Sequence, residues 1–131
     1  MKRKKFCVFL VLMILLLFGS LHVSAAGARV SKWVFYKGHY FYYNAKGQKV
    51  KDKIRKIGGS FYCFDKQGRV RTGFIRYGKQ IYFANRRGKF ATGWCTINRK
   101  KFYFSERGRA LPGIQAVDGK KYCFSYRGEL L

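Results

Sequence analysis

Carboxylates are almost missing from this sequence. Only Asp52, Asp65, Glu106, Asp118 and Glu129 carry one in 131 residues, against 29 lysines and arginines. Glycosidases commonly set two carboxylates on either side of one bond, and acids this scattered give no reason to expect such a pair. Asp65 and Asp118 also occupy places that elsewhere in the chain hold Asn, Ser or turn residues, which makes them structural. Histidine is as scarce. Beyond the first two dozen residues there is only His39, beside a turn, and Ser/His/Asp or Cys/His sets would all depend on it. With no Cys-x-x-Cys either, nothing recommends a metal site. The chain is read as a non-enzyme with no cofactor and no metal.

Long apolar runs are also lacking. The stretch Phe6 to Phe18 falls short of the roughly 20 residues a membrane-spanning helix needs. Lys2, Arg3, Lys4 and Lys5 precede it and Val23-Ser24-Ala25-Ala26 follows it, so residues 1–25 read as an export signal, cleaved after Ala25 or Ala26, in preference to an uncleaved anchor. No stable membrane span is expected after cleavage, and the product is expected outside the cell. Cleavage leaves 25 of the 29 basic residues and all five acidic ones, a formal charge of +20. A field of that sign draws in teichoic acids, acidic glycans, nucleic acids and anionic membranes without choosing among them. Cys7 leaves with the signal. Cys63, Cys95 and Cys123 remain, an odd set for which buried free thiols are expected before any disulfide.

What is present is a repeat. Gly47, Gly68, Gly88, Gly108 and Gly128 are 21, 20, 20 and 20 residues apart, and each is preceded at fixed offsets by the same kinds of residue. Six places earlier stands an aromatic: Phe41, Tyr62, Tyr82, Phe102 or Tyr122. Three places earlier stands Asn44, Asp65, Asn85, Ser105 or Ser125, and fourteen earlier Trp33, Ile54, Phe74, Trp94 or Ile114. A fixed period of this length marks an array in which each unit buries its apolar face against its neighbours.

Within a unit, two short β-rich runs flank a turn pair: Lys37-Gly38, Gly58-Gly59, Gly78-Lys79, Asn98-Arg99 or Asp118-Gly119. Each unit is therefore expected to be a β-hairpin. The aromatics six and four places before the glycine are expected to be its core. The fold class is all-β, a β-hairpin solenoid of about five 20-residue repeats behind the signal peptide. Residues 26–32 form a short lead and 33–131 the repeat domain, divided at 33–53, 54–73, 74–93, 94–113 and 114–131, with one extra residue in the first around Lys51-Asp52-Lys53.

The segments GWCTINRKKFYF (Gly93 to Phe104) and AVDGKKYCF (Ala116 to Phe124), repeated with variations along the chain, resemble the cell-wall-binding repeat family. That family includes choline-binding repeats of lytic enzymes, glucan-binding repeats of glucosyltransferases and glycan-binding repeats of clostridial toxins. The resemblance covers Trp33 to Leu131. It implies a solenoid of hairpins with ligand sites between neighbours and, in choline-binding members, an aromatic box around a quaternary ammonium. Carried over by position, the box falls on Trp33 and Tyr40, with Phe61 or Tyr62 from the next repeat. Ile54 with Phe61 and Phe74 with Ile81 are poorer sets. Lys101 and Lys121 stand where the box needs an aromatic and would repel choline.

Sugar stacking on exposed aromatics is expected at Trp33, Tyr40 and Trp94, with Phe61, Tyr62 and Phe74 as further candidates. The basic residues beside the repeat glycine, Lys46, Arg69, Arg86, Arg87, Lys89, Arg107, Arg109 and Arg127, are expected to form a stripe suited to a linear polyanion. The resulting expectation is an exported, non-catalytic module that binds teichoic acid or another glycan at a Gram-positive-type cell wall. The alternatives are a lectin-like binder of host or environmental glycans and a choline-binding module. Nucleic-acid binding ranks lower, as a consequence of charge with no specific partner expected. The last hairpin leaves an open edge available to a second copy.

Overall fold

A computed structural model describes residues 30–131, and the expected export signal and most of the expected lead lie outside them. Ten strands follow one another as five hairpins: β1 (Lys32–Tyr36) with β2 (His39–Tyr43), β3 (Lys53–Ile57) with β4 (Ser60–Phe64), β5 (Gly73–Tyr77) with β6 (Gln80–Ala84), β7 (Gly93–Ile97) with β8 (Lys100–Phe104), and β9 (Gly113–Val117) with β10 (Lys120–Phe124). Each pair is its own two-stranded antiparallel sheet. The all-β hairpin solenoid expected from the period is what forms. Lys32 belongs to β1, one residue earlier than the boundary drawn from sequence.

The turn chemistry explains the hairpins. Lys37 and Gly38 have φ of 48° and 78°, Gly58 and Gly59 56° and 84°, Asn98 and Arg99 49° and 66°. Two successive positive values are the turn geometry whose twist matches that of the flanking strands. The extra residue near position 52 is absorbed outside the strands, where Asp52 takes φ of 47° just ahead of β3.

Past each hairpin the chain turns on the small polar residue. The Asn85 Oδ1 accepts from the Arg87 and Lys89 amides at 2.9 and 3.1 Å, and Asp65, Asn44 and Ser125 act alike. This turn delivers an amide to the previous hairpin. Val70 N donates to Tyr40 O, Phe90 N to Phe61 O, Ala110 N to Ile81 O and Leu130 N to Lys101 O, all at 2.8–3.0 Å. Those donors lie two places after the repeat glycine, so the glycine itself is pressed against the unit before. A Cβ on Gly88 would collide with Val70 Cγ1, and one on Gly108 would lie 2.8 Å from Phe90 Cδ2; on Gly47 it would meet nothing.

The core is a chain of small clusters that straddle the joints. One holds Val50, Tyr62 and Phe64, the next Cys63, Ile75, Tyr82, Ala84 and Phe90, the third Ile97, Phe102, Phe104 and Ala110. The aromatic six places before the glycine is buried in the three middle repeats, but Phe41 and Tyr122 are half-exposed. Lys49 covers the first of these, its Nζ 4.6 Å from the Phe41 ring. All three described cysteines are free thiols. Cys63 is fully buried and Cys95 half-buried, whereas Cys123 is exposed, because the hairpin that carries it has no following repeat among the described residues.

Candidate functional site

Register decides which side chains meet. Counting outward from Lys37-Gly38, Phe35 pairs with Tyr40 and Trp33 with Tyr42. The Trp33 ring lies 4.9 Å from Tyr42 and 4.7 Å from Tyr62 of the next repeat, and stacks on Phe64 at 6.1 Å. Tyr40, expected beside Trp33, rests on Phe35 at 4.7 Å. Thus Trp33 and Tyr62 come together as anticipated, while Tyr40 and Phe35 form a separate aromatic pair one step nearer the turn. Burial pushes the Tyr62 hydroxyl above its ordinary pKa, so it stays neutral and the site carries no phenolate.

The fourth joint repeats this arrangement. Trp94 lies 5.2 Å from Tyr103, 5.0 Å from Tyr122 and 5.6 Å from Phe124. The positions of Phe35 and Tyr40 are taken here by the cross-strand pair Thr96 and Lys101. Trp94, Thr96, Lys101, Tyr122 and Leu130 enclose an open cleft of about 370 Å³. Lys101 therefore lines the same cleft as the Trp94 ring. Burial raises the pKa of the Cys95 thiol in its wall, which leaves it protonated and unreactive.

At the third joint Phe74 meets Phe83 at 4.9 Å and Phe102 at 5.5 Å, and the Arg127 guanidinium reaches back from the fifth repeat to 5.6 Å from the Phe74 ring. The second joint has no aromatic at Ile54. There the Lys56 Nζ sits 5.6 Å from the Phe61 ring, and Arg107 and Arg109 from the fourth repeat line the same cleft. The basic residues of a tip thus serve aromatic positions two repeats earlier, an arrangement that a stripe read from the period alone does not contain. Arg86, Arg87 and Lys89 are exposed on the third-repeat tip.

Sequence reasoning missed Tyr42, Phe35, Tyr103 and Lys56. The signal for the first three was the two-residue turn, from which cross-strand partners can be counted. Nothing in the sequence gave the reach of Arg107 and Arg127 across two units.

The architecture is similar to that of several solved structures. Choline binding protein F from Streptococcus pneumoniae, determined in the presence of a peptidoglycan analogue, is 25% identical with a TM-score of 0.72, over 78% of this chain and 34% of that one. CbpJ from Streptococcus pneumoniae TIGR4 is 18% identical with a TM-score of 0.70, over 78% and 36%. The pneumococcal cell wall endolysin from phage Cp-1, determined with choline, is 21% identical with a TM-score of 0.59, over 77% and 37%. The chain spans little more than a third of the length of each. No family model matches the sequence, and comparison with curated proteins finds no relative. The resemblance to cell-wall-binding repeats, carried by the sequence motifs, holds at the level of the fold.

Proposed function

We propose that the chain is an exported, non-catalytic module that attaches to anionic polymers of a Gram-positive-type cell wall, teichoic acid or another acidic glycan. The observation that carries this reading is that the later joints bring cations of the protein itself to aromatic clefts: Lys56 lies over Phe61, Arg127 over Phe74, and Lys101 lines one cleft with Trp94. Such pairs welcome the apolar face of a sugar together with an acid group and repel a free ammonium. The charge supports it too. Among the described residues only Arg69–Asp65 and Lys100–Glu129 form ion pairs, at 2.7 Å each. Most of the positive charge is left for a ligand. The non-catalytic reading rests on the same accounting, since Asp65 and Glu129 are committed to structural partners.

The fold shared with choline-binding proteins supports a second reading at one place. Trp33, with Tyr42, Tyr62 and the Phe35–Tyr40 pair nearby, offers aromatic faces over which none of the described lysines lies, Lys37 and Lys49 covering Tyr36, Phe41 and Tyr43 instead. Choline binding there is the alternative to wall binding by charge.

The deciding experiment measures retention on purified walls, with and without teichoic acid, across a salt series and then with choline. Exposed charges are screened over about 8–10 Å at physiological salt, so retention should fall steeply as salt rises and as teichoic acid is removed. Elution by choline at modest salt, without response to salt alone, would replace this reading with the choline-binding one. Tight nucleic-acid binding in high salt, with no wall retained, would exclude both.

A further inference from the structure

The largest of these clefts, about 760 Å³, falls within the roughly 300–1,000 Å³ of small-molecule sites and draws on three repeats. Its floor is Phe61, half-buried and held against Phe90 at 6.5 Å. Lys56 reaches over that ring from the neighbouring strand, and Arg107 and Arg109 approach from the tip of the fourth repeat. The Arg109 amide is pinned by Ser105 Oγ at 3.1 Å, which fixes where its guanidinium starts. Against these three cations stands one carboxylate, Glu106, so the cleft keeps a net positive charge. Tyr77 and Gln80 supply neutral hydrogen-bonding groups on the remaining side, and the Tyr77 hydroxyl is anchored by donating to Asp52 O at 3.3 Å.

We infer that this cleft is a binding site for an acidic sugar, a pyranose unit bearing a carboxylate or a phosphodiester. Phe61 takes the C–H face of the ring, Arg107 and Arg109 hold the acid group through paired N–H donors, and Gln80 meets ring hydroxyls. Lys56 excludes a quaternary ammonium from the Phe61 face and strengthens the hold on the anion. The site deepens the wall-polymer reading and rests on it, but it can fail separately.

The test is calorimetric titration of the purified protein with three probes of similar length: a galacturonic acid oligomer, an oligomer of hexoses joined by phosphodiesters and a neutral N-acetylglucosamine oligomer. One acidic oligomer should bind more tightly than the neutral one by about tenfold, and which one does so names the source of the acid. Arg107→Gln with Arg109→Gln should remove that preference, and Lys56→Gln, on the opposite wall, should weaken it independently. The melting temperature of each variant, compared with that of the wild type, shows that the loss is not unfolding. Equal affinity for acidic and neutral oligomers, or a preference unchanged in both variants, overturns the assignment. Wall retention measured in parallel separates the two claims. Walls held without any acidic preference at the cleft sink this site alone, whereas acidic oligomers bound here by a protein that no wall retains sink the wall reading alone.

Discussion

Trp33 and Trp94 occupy the same place in two hairpins and are equally exposed, at 39% each. Both pack on a cross-strand tyrosine and on two aromatics of the following repeat. One step nearer the turn they part. The first joint presents Phe35 and Tyr40, the fourth Thr96 and Lys101. Backbone register and core fix the frame, and on the proposed function a single cross-strand pair on the rim sets the sign of the charge the frame accepts. The copies of one repeat need not share a ligand.

The comparison breaks first at the level of stability. Tyr82, buried between repeats, and Phe41, its half-exposed counterpart in the first, should respond unequally to truncation. Tyr82→Ala should cost about 3–5 kcal/mol, as for other large buried aromatics. Phe41→Ala should cost clearly less, and equal shifts in urea midpoint would show that the first repeat is packed like the rest. Next come the glycines. Gly47 and Gly88 share a positive φ, 75° and 82°, but only Gly88 is pressed on Val70. Alanine at Gly47 should carry the left-handed penalty alone, about 1–2 kcal/mol, and alanine at Gly88 that penalty plus the clash. Thermal melts of the two variants isolate the contact.

A finer test exchanges the rims. Lys101→Tyr should give the fourth joint the character of the first and add about 0.5–2 kcal/mol of affinity for choline, read by Trp94 fluorescence. No change on choline addition would show that the rim does not set ligand charge.

The smallest effect concerns pH. Burial favours the neutral form of Asp65, but the Arg69 side chain and backbone, together with the Gln67 amide, outweigh it and hold the carboxyl below its usual range. A depressed folded value means the contribution is present above the ordinary carboxylate pKa, about 3.9, and lost as pH falls through the folded value. Wild type should therefore lose melting temperature on acidification more than Asp65→Asn, which copies Asn85 of the third repeat. Parallel acid profiles would remove Asp65 from the account.

The hairpins were legible in the sequence because their determinants are local: a turn pair, an alternating strand and a glycine at a fixed distance. The positions of the two tryptophans and of Lys101 within their hairpins were legible for the same reason, since each has a fixed place in the repeat. Tyr42 as the cross-strand partner of Trp33 was missed because position in the family pattern was followed and the count from the turn was not. The approach of Arg107 and Arg109 to Phe61, and of Arg127 to Phe74, depends on how each hairpin is set on the last, which no single repeat encodes. Burial of Cys123 was expected from its equivalence with Cys63, yet burial at that position requires a following unit.

Each joint is closed by an amide two places beyond a glycine that rests on the unit before. A segment of DNA encoding one such unit can therefore be duplicated in frame and find its docking partner ready made. Every duplication adds one cleft, with rim residues free to drift towards a different charge. On the proposed function, attachment grows by valency in such a series, because a second weak site on the same polymer binds at high effective concentration. Grip on a long chain of sugars can thus be strengthened without improving any single contact.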